Sequence, residues 1–262
     1  MSDIMKYEAR RRIRGTFVLV VLLGFFALLV VYIYPSIETA AGSIEEWLQS
    51  LPESFQASFA IESYTTIEGF LASEVYQFVW LLLVGLYIAY MAGGIVAGDV
   101  ESGRIDLLLA TPVSRTRVIV EKYLSLLIPI FVLNLIMPLF TLTGVIAIGE
   151  SLSVRDLLLL HVFSIPYLLL TGAIGLTLSV LFSRADIAQR GSLAVIFMLF
   201  IIDSVTVGTD FDWLGDISPT RYYSPIDILV DSDPDVAGAL ILVAAAFALL
   251  IFSGEWFKRT DL

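Results

Sequence analysis

Long runs without charged side chains recur along the whole chain, and they limit what it can fold into. A helix needs about 20 predominantly apolar residues to cross the hydrocarbon core of a bilayer. Six candidate spans fit this requirement, the fifth only when it includes Asp203: residues 15–37, 75–98, 123–149, 157–183, 191–208 and 236–254. We therefore predict one all-α membrane domain over residues 1–262, with six transmembrane helices in the cell membrane.

The composition excludes several classes of protein. Hydrophobic side chains make up 58% of the 262 residues and charged ones only 16%, which is too apolar for an ordinary soluble enzyme. With no cysteine and one histidine, the chain has neither thiolate chemistry nor a histidine-rich metal site. The net charge of −11 argues against binding nucleic acid. We expect membrane lipid as its surroundings, and no metal.

Basic residues are concentrated in alternate loops. Segments 1–14, 99–122, 184–190 and the tail hold five, four, two and two of them, which is thirteen of fifteen. Because Lys and Arg near span ends are retained in the cytoplasm, we predict that both termini are cytoplasmic. The outer loops 38–74 and 209–235 then form an anionic surface, which is either a vestibule that attracts cations or an adaptation to salty surroundings.

The first outer loop has helical features of its own. We expect Pro35 to end the first span, and Ser43 and Glu46 have the spacing of a capping box. Apolar residues follow at helical spacing, so a short amphipathic helix is predicted there. It either lies in the outer membrane interface or packs against the spans.

The segment of residues 99–117 is the most informative loop. Ile105, Leu108 and Leu109 recur at helical spacing, which predicts a short helix with one apolar face outside the membrane. Thr111 and Pro112 then break it and begin a helix that leads into the third span. The apolar face is either a docking surface for another protein or an interfacial helix on anionic lipid.

This segment resembles the first cytoplasmic loop of the permease subunits of ABC-2 type ABC transporters. The match is carried by Glu101, Gly103, the leucines 107–109, Pro112, Val113, Ser114, Arg115 and the downstream Lys122, although Arg104 stands where the family has threonine. The residues 68–71 and the span count are similar to the branch of nitrous oxide reductase maturation permeases.

The resemblance implies that the segment is a coupling helix seated on a cytoplasmic ABC ATP-binding subunit, which would bind ATP and Mg. It also implies a second permease chain, in a homo- or heterodimer, and a re-entrant or outer helical element within 209–235. The implied docking residues are Asp99, Glu101, Gly103, Arg104, Ile105, Asp106, Leu107, Leu108, Leu109, Pro112, Ser114 and Arg115.

We expect no enzyme activity and no cofactor in the chain itself. It contains no Gly-Lys pair and hence no Walker-type phosphate loop, so it cannot hydrolyse ATP alone. Paired catalytic groups of an intramembrane protease are also missing. His161 is followed by Val162 and Phe163, and we interpret it as a hydrogen-bonded residue near the outer end of the fourth span.

Some polar residues and prolines lie within the predicted spans. Asp203 and Asn134 are candidates for a substrate pathway, and Asp203 could instead extend to the outer interface. Pro129, Pro138 and Pro166 are candidate hinges, although such kinks are common in static helices.

The sequence thus favours a permease that couples ATP hydrolysis in a partner to export. The alternative is a secondary carrier or cation channel that needs no ATPase and uses Asp203 and the anionic vestibule.

Overall fold

A computed structural model describes residues 3–49, 66–110 and 113–259. Within these ranges the chain is helical and has no strand. Its α-helices are Asp3–Gln49, Ile67–Leu71, Gly85–Gly93, Ala97–Glu101, Arg104–Leu109, Arg115–Leu124, Leu127–Ala147, Val154–Leu181, Ala185–Thr206, Pro225–Leu229 and Val236–Arg259. A π-helix covers Ala72–Val84, and 3₁₀-helices cover Asp212–Ile217 and Pro219–Tyr222.

Six helical stretches are long and apolar enough to cross a membrane. We number them span 1 to span 6 in chain order: Arg10–Thr39, Ile67–Glu101, Arg115–Ala147, Val154–Leu181, Ala185–Thr206 and Val236–Arg259. The six-span all-α prediction is confirmed at this level, and the chain is a multi-pass membrane protein.

The first helix is longer than the sequence analysis predicts. It continues through Pro35 to Gln49, so its 47 residues extend for about 70 Å, more than twice the hydrocarbon thickness of a bilayer. Pro35 does not end it, because a proline removes only one backbone hydrogen bond and the turns on both sides persist. The predicted amphipathic helix from Ser43 begins within its last turns, and its remainder lies outside the described residues.

Span 2 changes its winding along its length. An α-helical turn begins after Thr66, whose hydroxyl caps the Gly69 N–H, and the Ala72–Val84 stretch is π-helical before regular α-helix resumes. π-helices are rare and mostly a single turn long, and they often occur at functional sites. Here the stretch carries Tyr76 and Trp80, both fully buried against span 4.

Span 4 lies at the centre of the bundle and packs against spans 2, 3, 5 and 6, while span 1 packs mainly on span 3. Glycines allow these helices to approach closely. A Cβ on Gly175 of span 4 would collide with the Ala89 carbonyl oxygen of span 2, and one on Gly93 would lie 2.6 Å from the Ser192 hydroxyl of span 5.

The structure groups the loops at two ends of the bundle. Glu8, the start of span 5 and the end of span 6 each contact the 99–122 region, and we call this the terminal end. The short helices between residues 212 and 229 lie at the other end, the loop end, where Tyr223 donates a hydrogen bond to the Leu160 carbonyl.

The candidate hinge prolines have different surroundings. Span 3 is interrupted at Ser125 and Leu126, just before Pro129, which has no N–H to donate to the Ser125 carbonyl. Pro138 and Pro166 instead lie inside uninterrupted helices.

Candidate functional site

The segment between spans 2 and 3 forms a compact corner at the terminal end. Helix Ala97–Glu101 ends in a turn where Gly103 has a φ of 68°, a conformation that costs glycine little, and helix Arg104–Leu109 starts directly after it. Ser114 then caps the next helix by accepting the Arg117 N–H. Thr111 and Pro112, the predicted helix break, lie outside the described residues.

The short helix Arg104–Leu109 turns a different side outward than the sequence analysis predicts. Ile105 is only 2% exposed and belongs to the hydrophobic core, and Leu108 is partly buried against the same core. Leu107 is 73% exposed, and Asp106 beside it is also exposed. Two of the three residues of the predicted apolar face, Ile105 and Leu108, therefore pack inward because the helix lies against the bundle. The side chain of the third, Leu109, lies outside the described part of the structure. Among the described side chains of this helix, Leu107 is the apolar one that faces outward.

Both ends of the corner are tied to other spans. The Glu101 carboxylate accepts a hydrogen bond of 3.0 Å from the Ala185 N–H, the first residue of span 5. The Arg115 guanidinium donates to the Phe257 carbonyl over 3.2 Å and lies over the Phe257 ring at the end of span 6. Opposite charges at these two helix ends suit the helix dipole.

A row of alternating charges lies behind the corner, and we call it the ion chain: Arg12, Glu8, Lys122, Asp99 and Arg104. Lys122 of span 3 is 0% exposed, and its ammonium donates to Glu8 over 2.7 Å, to Asp99 over 2.5 Å and to the Ile95 carbonyl over 2.9 Å. Arg12 lies 2.9 Å from the other Glu8 oxygen.

The second half of the ion chain reaches the corner itself. Arg104 donates through Nε to Asp99 over 2.9 Å, and this hydrogen bond raises the pKa of Arg104 above its ordinary value. Arg12 also donates to the Ser125 hydroxyl over 3.1 Å. The ion chain therefore connects span 1, span 2, span 3 and the short helix.

Three members of the ion chain came from the sequence analysis, whereas Glu8 and Arg12 did not. The basic residues of segment 1–14 were interpreted there only as a sidedness signal. A usable signal was present: Glu8, Arg12 and Thr16 recur every four residues and continue the buried stripe of Val20, Leu23 and Ala27.

Asp203 lies at the loop end and contacts groups of the same chain. It accepts a 2.5 Å hydrogen bond from the Thr220 hydroxyl, and Arg221 lies 3.6 Å from its other oxygen. Arg221 also pairs with Asp212, which lowers the pKa of Asp212, and lies 3.7 Å from Asp216. Asp203 therefore binds the loop 209–235 to span 5, which neither the pathway nor the interface interpretation anticipated.

Asn134 joins spans 3 and 4 within the bundle. Its carbonyl oxygen accepts from the Ser164 hydroxyl over 2.7 Å and lies 3.2 Å from His161 Nδ1. Because that oxygen can only accept, Nδ1 carries the proton and Nε2 accepts from the Tyr76 hydroxyl at 3.3 Å. His161 is thus hydrogen-bonded on both nitrogens and buried. In the ranges that the structure describes, no three His, Asp or Glu side chains are grouped as metal ligands.

Comparisons with known proteins agree with this architecture. A family model described as ABC-2 family transporter protein matches residues 3–262. The chain is also similar to the uncharacterized protein YhcI of Bacillus subtilis (strain 168), with 26% identity over 253 residues, covering 80% of this chain and 77% of that protein.

Proposed function

The chain belongs to the ABC-2 transporter family, as the membrane component of an ABC transporter, and from this premise we propose that it couples ATP hydrolysis in a separate ATP-binding subunit to export of a substrate. The short helix Arg104–Leu109 is the coupling helix in this proposal. Permeases of this family normally work with such a subunit.

The observation that carries the proposal is the combination of an exposed leucine with a firmly attached helix. Leu107 projects from the surface beside Asp106, while Ile105 of the same helix is in the core. An exposed apolar side chain on a rigid element is suited to enter a pocket of a partner and to transmit its movement. The pocket that we expect on the ATP-binding subunit is apolar and has a basic group at its rim that pairs with Asp106.

The proposed sidedness follows from the basic residues. Segments 1–14, 99–122 and 184–190 meet at the terminal end, and together with the tail they hold thirteen of the fifteen Lys and Arg residues. We place this end, including both termini, in the cytoplasm, where an ATP-binding subunit has its nucleotide. The loop end, where segment 209–235 alone holds seven aspartates, then faces outward.

The chain itself is not an enzyme in this proposal, because the sequence contains no phosphate-binding loop. ATP and Mg bind to the partner, and a second permease chain, identical or homologous, completes the pathway. The likeness of residues 68–71 to the nitrous oxide reductase maturation branch supports placing the chain near that branch.

Co-purification with a co-expressed ABC ATP-binding subunit tests the docking surface. We expect Leu107→Asp to abolish co-purification, because a charge in an apolar pocket is left without a partner. Ser102→Asp, on the adjacent exposed turn, is the matched control and should co-purify normally. Ile105 is unsuitable for this test because it is buried, so its replacement would damage the fold. Unchanged assembly of Leu107→Asp would refute the docking surface.

The alternative is an ATPase-independent carrier or cation channel that uses Asp203 and the anionic vestibule. Asp203 is hydrogen-bonded to Thr220 and lies beside Arg221, which favours a structural role for this residue. If the reconstituted chain alone moved a cation down its gradient, and Asp203→Asn abolished that flux, the alternative would replace the proposal.

A further inference from the structure

We propose that the ion chain is the joint that makes span 1 move together with the corner between spans 2 and 3, whereas spans 5 and 6 are attached to the corner by contacts that do not involve the ion chain. This inference rests on the proposed function and adds the path by which the movement leaves the docking surface. The five residues of the ion chain act as positioning residues.

Lys122 is saturated by its three partners. An ammonium has three protons to donate, and Glu8, Asp99 and the Ile95 carbonyl accept one each at 2.5–2.9 Å. The side chain is completely buried, so no water can replace a partner that leaves. Separating Lys122 from either carboxylate would leave an uncompensated buried charge, which is strongly unfavourable.

The two carboxylates are held on their far sides as well. Glu8 lies against Arg12, and Asp99 accepts from Arg104. The signs alternate along the whole row, so each carboxylate lies between two cations. Span 1 and the short helix are therefore connected through one fully buried ammonium, and the last contact, from Asp99 to Arg104, is partly buried.

The attachments to spans 5 and 6 are of another kind. The Glu101 contact with Ala185 is an exposed single hydrogen bond, and the Arg115 contact with Phe257 is only partly buried. Span 6 also packs along helix Arg115–Leu124, and neither this packing nor the two hydrogen bonds involves the ion chain. Removing a charge from the ion chain therefore leaves the attachments of spans 5 and 6 in place.

Span 1 is also built to pass a displacement along its length. It is one continuous helix and packs closely on span 3, where a Cβ on Gly24 would collide with the Phe140 ring. The opposite face of span 1 is exposed along several turns, from Val18 through Leu22, Phe25 and Leu29 to Tyr32. A movement of Glu8 therefore reaches Tyr32, about 36 Å further along the helix.

The absence of cysteine allows a direct test with single labelled sites. Tyr32→Cys on span 1 and Phe247→Cys on span 6, both exposed, are labelled with an environment-sensitive fluorophore in the complex with the ATP-binding subunit. ATP, Mg and vanadate are then added. In the parent chain we expect a fluorescence change at both sites. When Lys122→Gln or Glu8→Gln is added, we expect the fluorescence change to disappear at Tyr32→Cys and to remain at Phe247→Cys. ATP hydrolysis should be retained in both variants.

Arg184→Gln is the control, since it removes an exposed ion pair with Asp186 at the same end of the bundle, and it should change neither site. A Tyr32→Cys signal that persists in Lys122→Gln and Glu8→Gln overturns the joint alone. Loss at both sites, or failure of both variants to assemble, also overturns it, because the ion chain is then only a folding element. No ATP-dependent signal at either site of the parent chain refutes the proposed function itself.

Discussion

At the scale of single residues, buried charges within the described ranges have partners of opposite charge or hydrogen-bond partners. Lys122 is enclosed by Glu8 and Asp99, and Asp203 is held by Thr220 and Arg221. Sequence reasoning identified Asp203 as costly in a span but could not find its partner, because the partner lies in a loop whose fold depends on tertiary contacts. The same limit applies to Glu8, whose partner Lys122 lies far along the chain on span 3.

Arg221 should stabilise the loop end. Replacing it by Gln removes the cation shared by Asp203, Asp212 and Asp216. We expect Tm of the purified chain to fall by about 2–4 °C, the shift that about 1 kcal/mol causes in a chain of this size. Thermal unfolding followed by circular dichroism measures this change, and Arg155→Gln, at an exposed side chain of the same end, is the control.

The effect of Arg221→Gln should depend on pH. Arg221 lowers the pKa of Asp212, so the pair stabilises the fold above the unfolded pKa of about 3.9 and loses this effect as the pH falls through the lower folded value. The Tm difference between the two chains should therefore be full at pH 6 and shrink below about pH 4. A difference that grew on acidification would contradict the assignment.

At the scale of elements, hydrophobic runs located all six spans because bilayer thickness fixes their length. The ends were less predictable, since the first helix passes through Pro35 and the corner turns Ile105 inward. Periodicity identifies an apolar face without showing what covers it. The π-helical winding of Ala72–Val84 had no signal in the pattern, because it depends on how Tyr76 and Trp80 meet span 4.

Close packing of spans 2 and 4 gives a prediction at this scale. In Gly175→Ala the added methyl group meets the Ala89 carbonyl oxygen and the Ala92 side chain, which should destabilise the chain by about 1–3 kcal/mol. Gly191→Ala is the matched control, because its Cβ would lie 3.8 Å from Leu178 in ordinary contact. Thermal unfolding of the two variants should separate them, and equal stability would refute the packing of spans 2 and 4.

At the scale of the whole molecule, the two ends differ in charge and in construction. The terminal end combines basic residues with the ion chain and the corner between spans 2 and 3, whereas the loop end is acidic and contains short helices. The sequence predicted which loops share an end, because alternate loops of a multi-span chain must lie on the same side and the basic residues are concentrated in one such set. Which spans neighbour each other was not predictable, since no pairwise signal exists in one sequence.

Single cysteines in the cysteine-free chain test the sidedness. We expect a membrane-impermeant thiol reagent to label Asp210→Cys in intact cells and Ser102→Cys only after the cells are opened. Both positions are exposed, so accessibility within the protein does not limit the reaction. The reverse pattern would place the coupling corner outside the cell and remove the basis for an ATP-driven function.

The most direct test of the central claim is a photo-crosslink from the coupling corner. A photoreactive amino acid at Asp106, next to Leu107, is activated in membranes that contain the ATP-binding subunit, with the same group at Trp213 of the loop end as the control. We expect a covalent adduct with the ATP-binding subunit from position 106 and none from position 213. Adducts with lipid alone from position 106, in membranes that contain the subunit, would contradict it.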